Sequence, residues 1–269
     1  MPSAPGSQPP PPPTDLEVLA DLQADVLGAL VHVDPETPVP WCGRWRVRHL
    51  VVHLARVHHW AAAQAARTRE VPLGRGPFDP TQLYASCAAE LRETLAALDP
   101  DARAATLLDD GVPREQQRGT VAFWHRRQKL ETLVHLWDLR TAGGLPSDVG
   151  HLGREEQWWD VVLEVAEVMH PRQVRLARVA APPVLVTLRR PDGEGVALDG
   201  GVPSATGLPR LEVVGSAREL GLLVWGRSGV AAGDAGTPGL DPYEVRGDGV
   251  DDAAARSLLA DLLRAGLTP

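Results

Sequence analysis

The segment from Phe123 to Gly143 reads FWHRRQKLETLVHLWDLRTAG, with Arg127, Glu131, His135 and Asp138 at intervals of four, four and three. On an α-helix those intervals stack the four side chains on nearly one face. A carboxylate and an imidazole one turn apart can share a metal ion, because both project from adjacent turns. Zinc takes such donors at about 2.0–2.2 Å and, in catalytic sites, keeps a position open beyond three protein ligands. Glu131 and His135 supply two donors, so the third must come from another helix. Four histidines near residues 45–67 are candidates: His49, His53, His58 and His59. His53 sits in the series Leu50, His53, Val57, Trp60, on the flank of an apolar stripe, and is the geometric choice. His49 shares a polar flank with Arg46, while His58 and His59 lie further round. A buried Glu131 needs a partner, either a metal or a salt bridge to Arg127 one turn earlier. Asp138 is placed to orient a ligand histidine or to pair with Arg127. Arg127 could otherwise grip a carboxylate, which guanidinium forks match.

The elements that must position these groups are legible as patterns. Thr14 and Glu17 form a capping box ahead of a stripe of Leu16, Leu19, Leu22, Val26 and Leu30. A second helix spans roughly Trp45 to Arg67, with Val47, Leu50, Val51, Leu54, Val57 and Ala61 facing a core. A third starts near DPTQL and runs to Leu98, with Leu83, Cys87, Leu91 and Leu95 four apart. The chemistry-bearing helix is the fourth, closed by Gly143 and Gly144 where a left-handed cap is wanted. Together they predict a four-helix bundle. A fifth helical pattern, EEQWWDVVLEVAEVMH, is expected to stop before Pro171, and its Trp158 and Trp159 suit packing or a domain contact. Then the period changes: PVLVTLRR, VALD, LEVVG and YEVRGD read as strands, with PDGEG as a hairpin turn. SARELGLLVWGR, from Ser216, and DDAAARSLLADLLRAG read as helices. The fold class is therefore a two-domain α+β chain. It divides into a Pro-rich tail at 1–13, a helical bundle at 14–170 and a smaller α+β domain at 171–269. From that domain, Arg227 and Arg246 are candidates to reach across the interface.

Composition narrows the function classes. The net charge of −8 opposes nonspecific attraction to nucleic acid. No apolar run approaches the ~20 residues that span a bilayer. The N-terminus lacks the basic and apolar regions of a secretory signal, so a cytoplasmic location is expected. Two cysteines, Cys42 and Cys87, match no zinc motif and are expected to be reduced. One lysine, and no isoleucine or asparagine, point to a GC-rich genome such as an actinobacterium's. His32, His125, His151 and His170 are scattered and receive no role.

HLVVHLARVHHW together with FWHRRQKLETLVHLWDLRTAGG resembles the mycothiol-dependent maleylpyruvate isomerase family. Trp124, Arg126, Arg127, Glu131, His135, Trp137 and Asp138 match its second motif, and LGLLVWGRSG looks like its C-terminal domain. The resemblance implies a DinB-like metal-binding bundle followed by a sterol-carrier-like domain. It also implies a metal triad of one second-helix histidine with the Glu and His of ExxxH, which here are His53, Glu131 and His135.

The implied cofactors are Zn2+, or another divalent metal, and mycothiol as thiol cosubstrate. A metal-bound thiolate would attack a small electrophile, expected to bear a carboxylate, with Arg127 and Arg227 as catalytic candidates and Asp138 behind the ligands. Departure of the thiolate after bond rotation gives isomerisation; retention gives S-transfer. A zinc-bound water would instead make a hydrolase, and loss of the metal would leave a small-ligand-binding protein.

Overall fold

A computed structural model describes residues 12–202, 207–228, 240 and 243–268. The expected Pro-rich tail lies outside the described residues up to position 11. Four long helices open the chain: α1 (Asp15–Leu30), α2 (Val47–Ala65), α3 (Pro80–Ala97) and α4 (Val121–Ala142). The capping box forms, since the Thr14 hydroxyl accepts from Glu17 N at 3.3 Å and Glu17 accepts from Thr14 N at 2.7 Å. Asp79 caps α3 by accepting from Gln82 N at 2.9 Å. At the end of α4 only Gly144 takes the left-handed conformation, with φ +67°. Gly143 is needed for space instead, because a Cβ there would meet Val33 Cγ2 at 2.3 Å.

In the bundle α2 packs on α3 and α1 on α4, with α4 also against α2 and α5 (Glu155–Glu164). This makes α4 the central rod: every residue from Arg127 to Leu139 is buried. A helix buried all round is normally apolar all round. Here the charged members are paired off, since each left alone would cost about 1–3 kcal/mol or more, while Gln128 Nε2 and Trp137 Nε1 find no partner among the described residues. Lys129, the chain's one lysine, donates to Asp15 and Asp160 at 2.7 Å each. Gln128 meets His58 Nδ1 at 2.8 Å, and the Thr132 hydroxyl donates to Gln128 O at 2.6 Å.

The fifth helix does not stop before Pro171. It passes from α5 through one π-type turn, Val165–Met169, into α6 (His170–Arg175). Pro171 cannot donate to the preceding turn and its ring crowds it; the wider turn at this point lets the rod continue. A four-stranded sheet follows: β1 (Leu185–Arg189), β2 (Gly195–Leu198), β3 (Arg210–Val214) and β4 (Glu244–Asp248), in the order β2-β1-β3-β4. β1 and β3 run parallel; the two outer pairs are antiparallel. Register aligns Val186 with Leu211 and Leu188 with Val213 on the buried face. Thr187, Glu212 and Arg246 form the opposite row. Helix α7 (Ala217–Val224), capped by Ser216 and Glu219, packs on α5, and α8 (Asp252–Ala265) packs on β4. Gly221 permits the α5–α7 contact, since a Cβ would lie 2.9 Å from Trp158 Cε3. No helix among the described residues is long and apolar enough to cross a membrane.

Candidate metal centre

α2 and α4 cross so that His53, Glu131 and His135 converge, with one donor atom from each lying within 4.8 Å of the others. His53 Nε2 is 3.2 Å and His135 Nε2 is 3.3 Å from the same oxygen, Glu131 Oε1. The two rings stand edge to face with centroids 5.2 Å apart. They form part of the wall of a cavity of about 370 Å³, also lined by Trp41, Cys42, Trp45, Trp225 and Arg227.

Each donor is held by a second group. Arg127 grips Glu131 Oε2 with Nη2 and donates to Glu164 Oε2 with Nη1 at 3.1 Å. Burial pushes the Glu131 carboxyl up, but the charges of Arg127 and His135 hold it well below the usual range. One guanidinium cannot compensate two buried carboxylates. Glu131 also receives both imidazoles, so Glu164 is the loser, and burial lifts it to about 7 despite Arg127. His135 Nδ1 lies 2.9 Å from Asp138 Oδ2. With Nδ1–H donating there, Nε2 is the nitrogen turned toward Glu131, and loss of its proton would leave the tautomer a metal ligand needs. Burial pulls His135 down, yet Glu131 and Asp138 keep it above the ordinary histidine value. The pocket therefore stabilises positive charge between Glu131 and its imidazoles, and the donor set of two nitrogens and one carboxylate oxygen suits zinc or a similar divalent ion.

Asp138 does not pair with Arg127. Its carboxylate receives Arg227 Nη2 at 2.8 Å and Nε at 3.1 Å. Local structure delivers that arginine from the second domain. α7 ends at Val224, Arg227 N returns to Leu222 O at 2.7 Å, and Gly226 turns the chain at φ +67°. Arg227 then stacks 5.4 Å from the Trp225 ring and donates through Nη1 to Trp225 O. Arg246 does not reach the interface. It is exposed on the outer row of the sheet, bonded to Glu244 at 2.5 Å, because strand alternation turns it away from the buried face.

His58 and His59 are more buried than their position on the α2 wheel suggests, since α3 and α4 cover a wide arc of that helix. His58 is packed beside Tyr84, and burial pushes it down to about 4, a neutral ring at neutral pH. His59 Nδ1 lies 2.6 Å from Glu90 and Nε2 lies 2.7 Å from Val71 O. His49 is exposed, accepting from Arg46 N at 3.0 Å.

The sequence reading placed neither Cys42 nor Trp225 in the cavity wall, and gave no role to Glu164 behind it. Cys42 sits on the α1–α2 loop, 3.7 Å from Arg227 Nη2, and burial pushes its thiol up to about 11. Trp225 lies in the same WGR turn as Arg227. Glu164 had a visible signal: it is a carboxylate set within the apolar stripe of Val161, Val165 and Val168. Cys42 and Cys87 are not joined to each other.

The chain is thus a two-domain α+β protein whose bundle gathers two imidazoles and a carboxylate at one cavity. Its residues 16–140 match the model of the family described as the mycothiol maleylpyruvate isomerase N-terminal domain. Two solved structures share the fold. One is a histidine-to-alanine mutant of the mycothiol-dependent maleylpyruvate isomerase, at 14% identity and TM-score 0.56, covering 86% of this chain and 91% of that one. The other is the mycothiol-dependent maleylpyruvate isomerase, at 14% identity and TM-score 0.53, covering 80% and 88%. No curated protein sequence matches.

Proposed function

We propose that this protein is a metal-dependent, mycothiol-using isomerase or S-transferase acting on a small electrophile. The observation that carries the reading is the convergence of His53, Glu131 and His135 on one point of a cavity wall. The names of the two structural neighbours support thiol use and isomerisation as the reaction class.

A divalent ion bound by the three side chains, zinc by their donor chemistry, would favour the thiolate form of a thiol entering the cavity. The protein's own residues do the rest. Arg127 fixes the Glu131 carboxylate, so its free oxygen stays aimed between the two imidazoles. Asp138 holds the His135 ring in one tautomer. Cys42 stays protonated near neutral pH, which leaves a small-molecule thiol as the source of sulfur. Arg227, half-committed to Asp138, presents the remaining positive edge of the cavity to a carboxylate of the electrophile. Trp41, Trp45 and Trp225 supply apolar walls that keep water from competing with the thiol.

Elemental analysis of wild type, His53→Ala and Glu131→Ala tests the site. Wild type should hold one divalent ion per chain and each variant much less; full retention by both would refute the assignment. Thiols should raise the melting temperature of the metal-loaded protein only. Equal shifts in metal-free protein would remove the role given to the ion.

A further inference from the structure

Beside the metal cavity lies a second, larger one of about 770 Å³, and Trp45 and His53 line both. One wall is the outer face of α2, where Arg48, Val52 and Arg56 follow at intervals of four, with Arg44 just before the helix. The other wall is the segment Arg75 to Pro80, carrying Phe78. On a chain of net charge −8, the described residues that line this cleft include four arginines and no carboxylate.

Their partners show which charges are already used. Arg48 is paired with Glu36 and donates to His49 at 3.3 Å. Arg56 donates to Gly74 O at 2.9 Å and stacks 5.6 Å from the Phe78 ring. Arg44 and Arg75 both line the cleft and make no hydrogen bond or ion pair with any described residue, so their guanidinium donors are unused. The loop that carries Arg75 is held in place by the Arg56–Gly74 bond and by His59 on Val71 O.

We propose that this cleft is a binding subsite for an oxyanion, carboxylate or phosphate, carried on a planar aromatic or conjugated frame. Arg44, Arg56 and Arg75 take the anion, and Trp45 and Phe78 flank the plane. The frame then points past His53 toward the triad. The inference deepens the reading above: the cleft is about twice the volume of the metal cavity, so the electrophile's larger charged part lies outside while its reacting carbon lies within. It rests on that reading only for what lies beyond His53.

The test is calorimetric titration of the metal-free full-length protein with phenyl phosphate, benzoate and the uncharged benzyl alcohol. Wild type and an Arg44→Gln/Arg75→Gln variant, both side chains being exposed, are compared. The expected result is that at least one anion binds about tenfold tighter than benzyl alcohol. The double variant should lose about tenfold for that anion while keeping its metal content and melting temperature. The anion that binds best names the oxyanion. Equal binding of neutral and charged probes, unchanged binding by the variant, or no binding by wild type each overturns the proposal. Lost anion binding with metal retained leaves the triad reading standing. Anion binding by a protein with no metal affinity sinks that reading and spares this one.

Discussion

Glu164→Gln should make the metal-free protein more stable at alkaline pH, because the native carboxyl is buried against a guanidinium already claimed by Glu131. Burial raises Glu164 from 4.5 to about 7. A carboxyl whose folded pKa lies above its unfolded value binds its proton more tightly when folded. Its contribution is therefore fully present below 4.5 and is lost as pH rises through about 7. At ~1.4 kcal/mol per pH unit, that difference amounts to about 3 kcal/mol. Glutamine keeps an oxygen for Arg127 Nη1, now 3.1 Å from Glu164 Oε2, but has nothing to ionise. Urea denaturation at pH values from about 5 to about 8 measures both proteins, and subtracting the curves removes the other titrating groups. Stability of wild type relative to the variant should fall by about 3 kcal/mol across that range. Parallel curves would show that Glu164 ionises normally in the folded protein and that the shared-guanidinium account is wrong.

Asp138→Asn should lower metal affinity by about 10–100-fold, measured by chelator competition, since His135 loses the carboxylate that sets its tautomer. The same change should cost about 3 kcal/mol of stability, because Arg227 is left without its counter-ion in a mostly buried position. Gly221→Ala gains helix propensity of about 1 kcal/mol but drives a methyl to 2.9 Å from Trp158 Cε3. The net should be a loss of about 1–3 kcal/mol in denaturant melts, and a stabilised protein would contradict the tight α5–α7 contact. Alkylation of Cys42 by iodoacetamide near neutral pH should be slow, and should accelerate only as pH approaches 11.

Local sequence determined the helices, their caps and the pairing of Glu131 with His135, because spacing along one helix is fixed by its pitch. Thr14, Asp79 and Ser216 act within three residues of the groups they cap, so their roles were legible before any tertiary contact. The change from helical to strand period near residue 180 likewise announced the second domain. Packing alone decided the rest. His53 meets Glu131 across 78 residues, Arg227 meets Asp138 across 89 and Arg127 meets Glu164 across 37. Spacing made His53 a candidate, but none of those pairings follows from a local period alone. α4 carries polar residues all round, which in isolation reads as a helix with one exposed face. Only enclosure by α1, α2 and α5 turns each polar group into one that must find a partner. That requirement selected Asp138 for Arg227 rather than Arg127, and left Glu164 to share a charge.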